Sequence, residues 1–69
     1  MSRDEPLAEL AGEIDALAER LADRALDLLR AAMESGPKGP EATAERIVTR
    51  ARRSLDKAST LLRGVDLPE

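Results

Sequence analysis

The chain has 69 residues, 36% of them charged and 42% hydrophobic, with a net charge of −3 and no cysteine, histidine or aromatic residue. This composition excludes disulfide staples, a zinc site built on cysteine or histidine, and catalysis by a cysteine or histidine side chain. A chain this short builds only a marginal core by itself, so oligomerisation is the remaining source of stability.

Alanine, leucine, glutamate, arginine and aspartate dominate, which is the composition of packed helices, and the fold class expected is all-α. No apolar run approaches the roughly 20 residues that span a bilayer, and Met1-Ser2-Arg3-Asp4-Glu5 lacks the apolar segment of a signal peptide. The expectation is a soluble cytoplasmic protein with no membrane partner.

A first helix is predicted over about residues 4–34. Ser2 with Glu5 fits a capping box, and Asp4 as N-cap would leave Pro6 in the first turn, where amide donors have no helical partner. Leu7, Leu10, Ile14, Leu17, Leu21 and Leu28 then recur at steps of three and four, which marks one helix face. Beside them Ala11, Ala18, Ala25 and Ala32 step by seven, the signature of a face that another backbone approaches closely. Arg24 stands where the leucine stripe calls for an apolar residue. It either enters a bundle as a buried cation or packs its stem and sends its head to solvent or to Asp27.

The predicted turn covers 35–40. Gly36 can adopt a left-handed conformation, Pro37 cannot continue a helix, and Pro40 suits the first position of the next. A connection this short makes the two helices antiparallel neighbours. The second helix is predicted over about 41–63 with Ala44, Ile47, Val48, Ala51, Leu55, Ala58, Leu61 and Leu62 on one broad face. Gly64 reads as its closing residue, Val65 as the contact after that cap, and Leu67-Pro68-Glu69 as a short tail. The whole chain, 1–69, thus reads as a single helical-hairpin domain, coiled-coil-like, with Ala44, Ala51 and Ala58 completing an alanine-rich seam.

Leu26, Leu29 and Met33 fall off the main stripe of the first helix, and Ile47 and Leu61 widen that of the second. Left bare, these five would form an apolar patch that soluble monomers avoid. They are the candidate oligomer interface, and two hairpins pairing into a four-helix bundle is the expected way to cover them. A homodimer is the partner arrangement expected first, and one half of a hetero-complex is the alternative.

Charge is unevenly placed: residues 1–19 carry one cation and six anions, whereas 37–69 carry seven cations and five anions. Arg46, Arg50, Arg53 and Lys57, spaced four, three and four, share one face of the second helix with Arg52 beside them. Their mutual repulsion has to be offset. Either carboxylates such as Asp23, Asp27, Glu34, Glu45 and Asp56 pair with them, or the face serves an anionic partner.

No catalytic residue, resident metal or cofactor is expected. A di-metal carboxylate bundle takes a histidine three residues after a glutamate, and Glu9, Glu13, Asp15 and Glu19 scatter over outer faces as a solvated acidic surface. Glu13-Ile14-Asp15-Ala16-Leu17 with Leu26-Asp27-Leu28-Leu29 resembles the first helix of all-helical chorismate mutases. That family carries a substrate-gripping lysine on this helix and a third helix, and this stretch holds no lysine.

The segment Glu45-Arg46-Ile47-Val48-Thr49-Arg50-Ala51-Arg52-Arg53-Ser54-Leu55-Asp56, running on to Leu61-Leu62-Arg63, resembles the helical motif of the actinobacterial anti-sigma factor that holds a sporulation sigma factor with cyclic di-GMP. Glu45, Thr49 and Arg52 fit its intervals, while Asp56 and Thr60 stand where the motif has glutamine and aspartate. The resemblance implies a regulator that binds a cyclic dinucleotide on the arginine face, and arginine suits phosphate and guanine alike. In architecture the hairpin is also similar to the plasmid RNA-one modulator, a hairpin dimer that binds RNA. Nucleic acid is disfavoured here by the acidic net charge and the lack of aromatic side chains for stacking. The leading expectation is a non-enzymatic helical protein that self-associates and acts as an adaptor or regulator through protein contacts.

Overall fold

The computed structural model describes residues 6–65. Two helices, α1 (Leu7–Ser35) and α2 (Pro40–Gly64), run antiparallel and pack along their length. The Ser2 and Asp4 capping expectations and the Leu67-Pro68-Glu69 tail lie outside the described residues. Among those described, α1 begins at Leu7 rather than near residue 4, because Pro6 itself is the N-cap with extended backbone. The Pro6 carbonyl accepts from the amides of Glu9 and Leu10 at 3.0 and 3.3 Å.

The turn is built as its sequence implies. Gly36 has φ 105°, the one positive φ among the described residues, and its amide closes α1 on the Ala32 carbonyl at 2.7 Å. Pro40 occupies the first turn of α2, and the Gly39 amide reaches the Gly36 carbonyl at 3.2 Å. The Ser35 hydroxyl ties the two helix ends together, 3.1 Å from the Ala31 carbonyl and 2.9 Å from Glu41 Oε1. Gly64 does not cap α2 in a left-handed conformation. The helix ends at Val65 with φ −85°, its amide 3.4 Å from the Leu62 carbonyl.

The seam is made of small residues. Ala11, Ala18, Ala32, Ala42 and Ser59 are the buried residues, and no large side chain is fully buried among those described. Ala25 is half-buried, so the first alanine series does face α2. The second series lies to one side: none of its members is buried, Ala51 is exposed and Ala44 and Ala58 are half-buried, whereas three of the four alanines of the first series are buried. The side of α2 turned toward α1 is instead the row Ala42, Glu45, Val48, Thr49, Leu55, Ser59 and Leu62. A seven-residue repeat defines a helix face without saying which neighbour it meets, and α2 is rotated so that its alanines lie to one side of the seam.

This rotation gives the hairpin two unlike sides. On one, Leu10, Ile14, Leu17, Leu21 and Leu28 of α1 stand beside Val48, Ala51, Leu55, Ala58 and Leu62 of α2. On the other lie Asp15, Glu19, Leu26, Leu29 and Met33, with Ala42, Arg46, Arg53 and Asp56. Two helices form one layer, 13 Å thick between Cα extremes, where stable domains stack two. No described helix is long and apolar enough to cross a membrane.

Candidate functional site

The five cations predicted on α2 are all exposed, and among the described residues four of them lack the carboxylate partners that would make an ion-paired flank. Among the described residues only Arg52 is paired, to Asp56 at 3.6 Å, while Arg46, Arg50, Arg53 and Lys57 form no ion pair. Helical phase explains this. Asp23, Asp27 and Glu34 lie on the outer side of α1, away from α2, and Asp27 pairs with Arg30 on its own helix at 3.5 Å. Glu45, a carboxylate on α2 itself, accepts from the Thr49 hydroxyl at 2.9 Å.

Arg46, Arg50 and Arg53 line one open groove with Glu45 and Thr49. Arg52 and Asp56 line a different one, with Asp15, Ala18 and Glu19. The cationic face is therefore narrower than the five residues suggest. It consists of arginines placed once per helical turn along one edge of α2, with Lys57 one turn further on.

The five candidate interface residues are exposed too, with Met33 at 79% and Leu61 at 62%. They do not share one side. Leu29 and Met33 line a groove at the turn with Ala32, Gly36, Pro37, Ala42, Glu45 and Arg46, and Leu26 precedes them by one helical turn. Ile47 and Leu61, fourteen residues apart, lie on the outer side of α2 beside its alanine series. A single second layer covers one side of a hairpin, so it cannot cover both sets.

The apolar side carries a third groove, at the open end, lined by Leu10, Glu13, Ile14, Leu17 and Leu62. Its four apolar residues belong to the faces expected to pack within the hairpin, and the alanine packing instead leaves Leu17 43% exposed. Arg24, in the same row as Leu17, is exposed and makes no ion pair among the described residues.

The sequence reading missed one cluster altogether. Ser59 is buried between the helices, its hydroxyl directed to the Ala11 carbonyl at 3.4 Å, and Arg63 reaches both Ser59 Oγ and Asp15 Oδ2. The Ser59 hydroxyl, and then the Arg63 guanidinium, hold the Asp15 carboxyl below its ordinary value, against a smaller opposing effect of burial. The spacing Leu55, Ser59, Leu62 carries the signal, since four and three residues separate Ser59 from inward-facing leucines. Among the described residues no group of three carboxylates gathers as metal ligands would. Comparison with protein families, with curated proteins and with solved structures gives no match.

Proposed function

We propose that the protein is a non-enzymatic, cytoplasmic helical adaptor or regulator that self-associates, most simply as a homodimer whose two hairpins stack into a four-helix bundle. One observation carries the reading: among the described residues the interior holds only alanines and a serine, and every leucine, isoleucine and valine keeps part of its surface in water. Burying such side chains is the main stabilisation open to a small chain, at about 1.5–3 kcal/mol each when complete. The apolar side formed by Leu10, Ile14, Leu17 and Leu21 with Val48, Ala51, Leu55 and Leu62 offers that burial to a second layer.

The alanines of α2 suit this arrangement, because small residues let a second backbone come close. Sedimentation or light scattering at micromolar concentration tests it. A mass of twice 7.5 kDa is expected, and 7.5 kDa would overturn it.

A second reading, a regulator that binds a cyclic dinucleotide or another small anion, is favoured by the arginines Arg46, Arg50 and Arg53, which line one groove and form no ion pair among the described residues. Calorimetric titration with cyclic di-GMP tests it, and no heat at high concentration would eliminate that ligand.

A further inference from the structure

We infer that the groove at the turn and the cationic groove beside it form one docking surface for an acidic amphipathic helix of a partner protein. The inference names the partner chemistry for the adaptor reading and rests on that reading. The two grooves are continuous, since Glu45 and Arg46 line both. One half is apolar, with Leu29, Met33 and Ala42, and the other is cationic, with Arg46, Arg50 and Arg53.

An occupant must match both halves at once. Met33 is 79% exposed and Leu29 46%, and a flexible thioether suits a groove that accommodates apolar side chains of varied shape. The arginines recur about every 5.4 Å, the pitch of a helix, so carboxylates at three- and four-residue spacing on an incoming helix would meet them one for one. From Ala42 to Arg53 the surface runs about 17 Å at 1.5 Å per residue, which is three turns of a docked helix. Apolar anchors at helical spacing with acidic residues on the flank constitute a recurrent way in which helices are recognised.

Other anionic partners fit less well. A phosphate backbone would engage the arginines alone and leave the apolar half, with Leu29 and Met33, uncovered, whereas Glu45, where the two grooves meet, requires an apolar or neutral residue of the docked helix opposite it. No aromatic side chain exists to stack a base. The surface lies on the opposite side from the Leu10, Ile14 and Leu17 side, so a self-associated bundle leaves it open.

Fluorescence anisotropy on the full chain tests the inference with three labelled probes: a synthetic peptide of about 14 residues with leucines on one helical face and glutamates beside them, a scrambled peptide of the same composition, and a short RNA duplex. The amphipathic peptide is expected to bind at least tenfold more tightly than either other probe. Arg50→Gln with Arg53→Gln, and separately Met33→Asp, are each expected to weaken it at least tenfold while circular dichroism shows unchanged helicity. Equal binding of the scrambled peptide, tighter binding of RNA, or unchanged affinity in the variants would overturn the inference. Light scattering on the same samples keeps the two readings apart. A dimer that ignores the amphipathic peptide overturns the docking surface alone, and a monomer that binds it overturns self-association alone.

Discussion

Arg63 closes the open end of the hairpin on Asp15, 48 residues earlier in the chain, and the buried Ser59 hydroxyl lies between the two helices beside them. Because Ser59 and Arg63 lower the Asp15 value below 3.8, the contact stabilises the fold above the unfolded value and is lost as pH falls through the folded one. The melting temperature is therefore expected to hold between about pH 7 and 5 and to decline below about 4. Asp15→Asn should melt slightly lower at neutral pH and show a shallower acid decline. The pair is half exposed, which keeps the effect small. Circular dichroism melts across a pH series measure both slopes, and identical acid profiles for the two proteins would exclude the contact from the acid response.

Ala18 and Ala51 belong to the same kind of repeat and stand in different places, one 3% exposed within the seam and the other on the open apolar side. Ala18→Leu should force the helices apart and cost about 1–3 kcal/mol or more. Ala51→Leu should leave the hairpin intact and act on the step that depends on protein concentration. Melting at two concentrations separates them: the Ala18→Leu deficit persists at both, while the effect of Ala51→Leu changes with dilution.

Two glycines should respond to alanine in opposite directions. Gly36 has φ 105°, a conformation in which a Cβ is strained, so Gly36→Ala should destabilise by about 1 kcal/mol or more. Gly12 lies in the interior of α1 with nothing within 4 Å of an added Cβ, so Gly12→Ala should stabilise by about 0.5–1 kcal/mol. Urea titrations with a common slope read both differences.

The sequence was most legible where local chemistry decides the outcome. Gly36, Pro37 and Pro40 define the turn, and the leucine and alanine periods define two helices within a few residues of their observed ends. What it left open was rotation. The period of α2 was visible, but whether Ala51 or Ser59 turned inward depends on how the helices meet, a long-range matter that spacing does not encode. The candidate site follows the same division. The arginine edge was legible as a 4-3-4 spacing, while its lack of carboxylate partners on α1 depends on the phase of a helix elsewhere in the chain.

Arg24 offers the sharpest test of which side another hairpin covers. It occupies the slot seven residues after Leu17 and seven before Ala31, within the apolar side, and it is exposed in the single hairpin. If a second copy stacks on this side, each guanidinium must lose water or bend its stem to the rim, and both weaken association. Arg24→Leu would then complete the stripe and tighten the dimer by at least tenfold, with a raised melting temperature. Leu26→Arg places the opposite change on the other side, near Leu29 and Met33, and should leave the dimer mass unaltered. Sedimentation equilibrium on both variants decides the matter: a dimer strengthened by Arg24→Leu and indifferent to Leu26→Arg assigns the interface to the Leu17 side, and the reverse pattern assigns it to the side of Leu29 and Met33.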